Sequence, residues 1–244
     1  MTPPDNPEPP GAPATGAGRA GSARPAGLRE QSRAEAMRRI RATAVEVLAE
    51  KNFDEITTRE VAQRAGIGEA TLFRHVESKQ ELLMLAYGDR MDALLDAVEE
   101  RDAKLELRGG ELSGGQFCGR VLAIFRARAD FYRQSPDNAR LYMRYGFDVN
   151  NPSLDRHLGQ GDRIIALATR ILRAGQRQGV LSSAVDAETV AENCHGTFIH
   201  EVDRTPVRHL PIELIAERVD ARLSAQLLPL ITDGSTVESR EGDR

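Results

Sequence analysis

The chain has 244 residues, 40% of them hydrophobic and 29% charged, with a formal net charge of −4. That length allows a substantial buried core, and the small negative charge excludes a polybasic coat for nucleic acid. There is no run of about twenty apolar residues, so no membrane span is predicted. The two cysteines, Cys118 and Cys194, form neither a CxxC pair nor a zinc spacing; they read as buried small residues in a reducing cytosol rather than as a disulfide.

Residues 1–30 hold most of the prolines and many glycines. They cannot bury enough surface to fold and are predicted to be a disordered arm. The segment lacks the apolar core of a signal peptide. Residues 1–45 carry seven arginines against four acids, a locally basic end on an acidic chain. Arg24, Arg29 and Arg33 could serve as a groove-reaching arm or lie in an inert tail; both readings stay open. From Arg33 to Lys51, Met37, Ile40, Ala44, Val47 and Leu48 recur at helical spacing. Arg41 lies near the exposed side of that helix and is a candidate phosphate contact. Phe53 and Ile56 close a three-helix core.

Residues 57–83 are the most informative stretch. Thr57 or Thr58 can cap a first short helix, with Glu60 at its positive end. Val61, Ala62 and Ala65 give it a narrow apolar stripe, and Gly66 stops it by taking a positive φ. Ile67 plugs the turn. Gly68 is placed as N-cap of a second helix, Glu69 to about His75, in which Leu72 and Val76 face inward. Its other face carries Glu69, Ala70, Thr71, Arg74 and His75, and the small Ala70 and Thr71 let the backbone sit close to base edges. Ser78 and Glu81 form a capping box for a third helix. Two short helices about a tight turn are a helix-turn-helix, the element that places a helix in the DNA major groove.

These residues resemble the tetracycline-repressor (TetR) family of regulators. The likeness rests on Thr58, Val61-Ala62, Ala65-Gly66-Ile67, Thr71-Leu72-Phe73, His75, Ser78-Lys79 and Leu82, and runs for about fifty residues from near Arg33. The resemblance implies that Thr58 touches phosphate and that Arg59, Glu69, Ala70 and Thr71 approach base edges. His75 and Lys79 would hold phosphates. Phe73 stands where the family usually has Tyr, so the hydroxyl and any phosphate bond from it are lost. Gly68 stands where Ser is commoner. Glu69 is expected either to accept from a cytosine amine or to exclude other bases. Arg74 and Arg64 are either contacts or solvated surface.

Beyond the motif, a helix is predicted from Lys79 to about Leu107, with Leu82, Leu83, Ala86, Met91, Leu94, Leu95 and Val98 inward. Arg108–Gly115 reads as a loop, 116–134 as a helix, and Pro136 to about Tyr145 as another capped by Ser135. Ser153–Gln178 ends at Gly179. Asp186 to about Val202 is the next helix, Pro206–Pro211 a loop, and Ile212 to about Leu230 the last helix, with a stripe of Ile215, Val219, Leu223, Leu227 and Leu230. Residues 232–244 are polar and expected to be disordered.

The fold expected is all-α: a three-helix DNA-binding domain over 31–80, followed by a helical ligand-binding and dimerisation domain over 81–231. The resemblance implies a cytoplasmic homodimer whose last two long helices form a four-helix interface. It would bind a palindromic double-stranded operator as a repressor and be released by a small-molecule effector. An activator, or a dimeric helical protein with a vestigial motif, is the alternative. The expected pocket residues are Phe125, Tyr132, Tyr142, Tyr145, His195, Phe198 and Ile199. No cofactor or metal is expected. No dinucleotide fingerprint, P-loop, nucleophile elbow or HExxH motif occurs, so no enzyme is predicted. Asp102 and Glu106, a conceivable carboxylate pair, read as a solvated helix face.

Overall fold

A computed structural model describes residues 26–232. The arm over 1–25 and the tail over 233–244 lie outside the described residues. The chain divides after Glu35 into two compact units; apart from the first turns of α1, the features below belong to the second. The helices are α1 (Ala26–Glu50), α2 (Thr58–Arg64), α3 (Glu69–Leu72), α4 (Lys79–Leu107), α5 (Gly114–Gln134), α6 (Pro136–Gly146), α7 (Leu154–Arg177), α8 (Ala187–Val207) and α9 (Ile215–Leu227). Short 3-10 turns precede α2 and flank α9. Among the described residues there is no sheet, one isolated bridge joining Leu181 to Ile231. No described helix is long and apolar enough to cross a membrane.

The all-α expectation holds. Helix α1 starts earlier than the Arg33 expected, at Ala26, so residues 26–30, expected in the arm, are helical. Leu28, Arg29, Glu30 and Gln31 are all good helix formers and outweigh Gly27. Helices α7 and α8 pack on one another, as do α5 and α9, while α4 lies against α6 and α7. One continuous hydrophobic core runs from Ile40 and Leu48 of α1, through Leu82 and Leu83 of α4, to Val219 and Leu227 of α9. Helix α4 therefore belongs to both the motif and the helical body.

Helices α4 and α7 run side by side in the same direction, joined by a ladder of ion pairs. Arg156 reaches Asp89 and Asp92, Arg163 reaches Asp96 and Glu99, and Arg170 reaches Asp102. The arginines are seven apart, two helical turns, so each meets the next acid on the facing helix. Exposed pairs of this kind add little each. Asp102 differs: it is buried and accepts from Arg120 Nε at 2.7 Å and Nη2 at 2.9 Å. It is a buried ion pair, not the solvated face expected of it, whereas Glu106 is exposed.

Three further expectations change. Ser78 Oγ accepts from Glu81 N–H at 3.1 Å, but the Glu81 carboxylate accepts from Glu77 N–H rather than Ser78, so the capping box is shifted by one residue. Ser135 precedes α6, yet its hydroxyl caps no backbone group; it accepts from Asn138 Nδ2. Helix α8 runs through Pro206 to Val207 instead of ending near Val202. Proline in a last turn removes one backbone bond only, and His209, at φ 52°, then turns the chain so that Leu210 N–H reaches Thr205 O.

The α9 stripe is consumed within the chain. Ile215, Val219, Leu223 and Leu227 are fully buried against the core, and Leu230 is half-buried. Any pairing of subunits through α8 and α9 must use their outer, polar faces, where Glu192, Asn193, Thr197, His200, Arg222 and Gln226 line an open groove.

Candidate nucleic-acid interface and buried cavity

The motif is assembled by local chemistry. Thr57, not Thr58, caps α2, its hydroxyl accepting from Glu60 N–H. Gly66 takes φ 66°, a left-handed conformation that costs a β-carbon residue free energy. Ile67 N–H then returns to Ala62 O, closing the turn. Gly68 is the extended N-cap of α3. The α-helix proper ends at Leu72, and the chain continues to Val76 in looser turns. So short a helix cannot persist alone; Leu72 and Val76, both buried, hold it to the core.

The outward side carries the predicted reading residues. Arg59, Gly68, Glu69, Ala70, Phe73 and Arg74 are exposed, and Arg41, Thr58, Thr71, His75 and Lys79 are half-buried. Phe73 is 49% exposed, unusual for a large apolar side chain on a helical surface. Arg59 makes no hydrogen bond or ion pair among the described residues, so its charge is available. Thr58 Oγ1 donates to Glu69 Oε1 at 3.0 Å, tying the carboxylate to the start of α2. Arg74 donates to Thr71 Oγ1 at 2.7 Å. The Lys79 ammonium sits 4.4 Å from the Phe53 ring centroid. Arg64 is engaged by Glu50 and Glu60, so it reads as surface rather than contact. Arg41 is not free either: it donates to Asp89 of α4 at 2.7 Å.

A second feature lies between α5, α6, α7 and α8, a cavity of about 110 Å³. Of the seven expected pocket residues, Tyr132, Tyr142, His195 and Ile199 line it. Phe125 and Phe198 do not; both are fully buried and packed against one another. Tyr145 turns away to the Phe53 ring. Arg128, His157, Gln160, Met91 and Met143 also line the cavity and were not foreseen. The His157 ring stands edge-on to Tyr142 and Phe147. Gly146 permits this, since a Cβ there would lie 2.5 Å from the His157 ring.

The electrostatics of the cavity are unusual. Arg128 is 3% exposed, and burial lowers its pKa to about 10. It remains charged at neutral pH. Burial, with Arg128 next, pushes His157 down to about 4. The same two causes, and then His157, push His195 down to about 3. Both imidazoles are therefore neutral at pH 7. Burial also raises the Tyr132 and Tyr142 hydroxyls above their usual range, and burial raises the Cys194 thiol to about 12.

From the cavity wall a chain of polar contacts leads to the motif. Tyr142 Oη donates to Gln160 Oε1. Gln160 Nε2 donates to Asp92 Oδ1 at 2.6 Å. Arg156 bridges Asp92 and Asp89, both at 2.6 Å. Asp89 is also the acceptor of Arg41 on α1. A separate link is Asn138 of α6, which is fully buried and bonds three backbone groups around the end of α1.

Residues 40–85 match the model for bacterial regulatory proteins of the tetR family. That segment, and with it the helix-turn-helix, is similar to the DNA-binding segment of that family. All the reading residues named above, from Arg41 to Lys79, fall inside the matched segment, and the cavity falls outside it. An HTH-type transcriptional regulator of Bacillus subtilis, YvkB, is 32% identical over 65 residues, 25% of this chain and 34% of that protein. The match thus spans about a third of that relative's length. Among solved structures, FadR of Bacillus subtilis in complex with stearoyl-CoA is similar at a TM-score of 0.58 and 15% identity, over 78% of this chain and 97% of that one. FadR of Thermus thermophilus, a TetR-family repressor in complex with lauroyl-CoA, gives 0.52 and 22%, over 85% and 98%. At such identities the likeness is one of fold.

Proposed function

We propose that this protein is a TetR-family regulator that binds operator DNA as a homodimer, acts as a repressor, and is released by a small molecule held in the helical body. The observation that carries this reading is the division of α3 and its continuation. Leu72 and Val76 are buried, while Glu69, Ala70, Phe73 and Arg74 face out beside Arg59, which has no partner among the described residues. A face of small, polar and cationic groups on a helix anchored from behind suits entry into the major groove. Two such faces about a twofold axis would read half-sites one helical turn apart, ~34 Å, so the operator should be a near-palindrome. Cytoplasmic residence follows from that role.

Thr58, His75 and Lys79 would meet phosphate in this reading, and Arg59, Glu69, Ala70 and Thr71 base edges. Arg41 contributes by positioning α4 through Asp89 rather than by meeting phosphate. The Thr58–Glu69 bond suggests that Glu69 acts by exclusion until a cytosine amine displaces the hydroxyl. The test is selection of bound duplexes from a random pool, followed by anisotropy at two salt concentrations. Thr71→Ala should relax specificity at its base pair, by about 1–3 kcal/mol. Lys79→Ala should weaken all sequences alike and lower the salt slope by about 1. Failure to enrich any sequence with folded dimer would favour the vestigial-motif reading.

The effector is placed in the cavity lined by Tyr132, Tyr142, His195 and Ile199. A ligand acts only through its differential affinity for two states of the protein. The chain of contacts from Tyr142 through Gln160, Asp92, Arg156 and Asp89 to Arg41 is the proposed link. Arg156→Met should leave operator affinity without effector within about threefold. It should reduce the effector's influence on that affinity by about 0.5–2 kcal/mol, the usual span for such coupling positions. Anisotropy titrations with the first releasing compound from a screen decide it; undiminished coupling in Arg156→Met would remove this link. The acyl-CoA thioesters held by the two FadR proteins exceed a cavity of about 110 Å³, so the screen starts from smaller compounds.

A further inference from the structure

The cavity contains a buried cation that the protein does not neutralise. The Arg128 guanidinium makes one polar contact, Nη1 to His195 Nδ1 at 3.2 Å. Its other neighbours are ring faces, Phe198 at 4.1 Å and Phe125 at 6.0 Å from the centroids. Its Nε has no hydrogen-bond partner. No carboxylate among the described residues pairs with it. Elsewhere on the same helices arginines are matched: Arg120 by Asp102, Arg156 by Asp89 and Asp92, and Arg163 by Asp96 and Glu99. The one carboxylate on the cavity wall, Asp162, has an exposed side chain and makes no ion pair with Arg128 among the described residues, and Asp92 is already taken by Arg156 and Gln160. Burying a charge without a partner is costly, and Arg128 is 3% exposed.

Two more buried atoms on the same wall lack partners, Tyr132 Oη and His157 Nδ1. Three orphaned polar groups converge on one space, which is what a missing ligand leaves behind. Met91, Met143, Ile164 and Ile165 supply apolar wall, interrupted by Gln160 and Asp162. We propose that this cavity binds a carboxylate carried on a short apolar body, with Arg128 as its counter-ion and the Tyr132 hydroxyl donating to the same group. The Arg128 Nε–H donates to one carboxylate oxygen. The single guanidinium matches a monoanion better than a phosphate dianion. A cavity of about 110 Å³ is somewhat smaller than the ~150 Å³ site that accepts benzene, so the body is a few carbons long. This identification of ligand class rests on the cavity being the effector site.

The probes are propanoate and butanoate, each against its carboxamide, titrated into the full-length protein without DNA and followed by calorimetry and melting temperature. Both carboxylates should bind and raise the melting temperature, and the carboxamides should bind at least tenfold more weakly. Arg128→Met should remove that preference, and Tyr132→Phe should weaken carboxylate binding several-fold while leaving carboxamides unchanged. Equal binding of acid and amide, no binding of either acid at 10 mM on the order of the weakest useful effectors, or an unchanged preference in Arg128→Met overturns the proposal. Operator release is read separately by anisotropy. Carboxylate binding without release would retire the switch and keep this site; release by a neutral compound alone would do the reverse.

Discussion

Asn138→Ala should cost about 3–5 kcal/mol of stability, because one side chain serves three backbone groups that no other residue reaches. Its Oδ1 accepts from Phe53 N–H at 2.7 Å, and its Nδ2 donates to Leu48 O and Lys51 O, each at 3.1 Å. The last carbonyls of a helix have no intrahelical partner, and α1 ends at Glu50. Asn138 thus acts as a C-terminal cap for α1 from a helix more than eighty residues away. Each buried group left unpaired costs about 1–3 kcal/mol, reduced where water can enter. For a chain of this size the loss corresponds to a melting shift of roughly 6–20 °C. Asn138→Asp should do no better: it keeps the acceptor for Phe53 but sets a carboxylate against two carbonyls. Urea unfolding checks the value, and a loss below about 1 kcal/mol would mean that water replaces the amide at small cost. Because the same contact ties α6 to the helix that supports the motif, operator affinity should fall alongside stability in Asn138→Ala.

The motif was legible because its chemistry is local. Gly66 must take a positive φ, Ser78 must cap, and Leu72 with Val76 must face inward, whatever the rest of the chain does. The lengths of α4, α5 and α7 followed from apolar spacing in the same way. The cavity was legible only in part. Tyr132, Tyr142, His195 and Ile199 were found as aromatic or polar groups on apolar helices, but the reasoning could not tell them from Phe125, Phe198 and Tyr145, whose direction depends on packing between helices. Arg128 carried a signal that went unread. It stands three beyond Phe125 and four before Tyr132, on the stripe that also holds Val121 and Ile124, so its helix phase is that of the core. A charge on a buried phase is the informative exception. Asp102, four beyond Val98, and Gln160, four before Ile164, stand on buried phases too, but their partners, like those of Asn138, lie on other helices and could not be named. The heptad spacing of Arg156, Arg163 and Arg170 was visible in the sequence, but its meaning required knowing that α4 runs alongside α7.

Acidification from pH 7 to pH 5 should destabilise the protein by about 2–4 kcal/mol through two histidines, before its carboxylates begin to titrate. Burial, and then the Arg128 charge, hold His157 near a pKa of about 4 and His195 near about 3. In the unfolded chain both return to about 6.5. A base with a depressed folded pKa binds its proton more weakly in the folded state. The unfolded chain therefore gains protons as pH drops below 6.5, and stability falls from there until each folded pKa is passed. It is intact above about pH 7.5. Carboxylates held low in the folded state, such as Asp186 by Thr189 and Glu60 by Lys51, lose their contribution only nearer pH 4, so the two windows separate. Urea unfolding across pH 7 to 5 should show the slope in the parent and a much flatter one in the paired variant His157→Gln with His195→Gln. A flat parent would mean that the imidazoles reach water more freely than the cavity suggests. Arg128→Met should also flatten the slope, since removing the neighbouring cation lifts both imidazole pKa values towards 6.5. A carboxylate bound at Arg128 would act in the same direction as that substitution. It would thereby bind more tightly at pH 5 than at pH 7, provided its own pKa stays below 5, because the histidines that resist protonation in the empty cavity accept it more readily beside an anion.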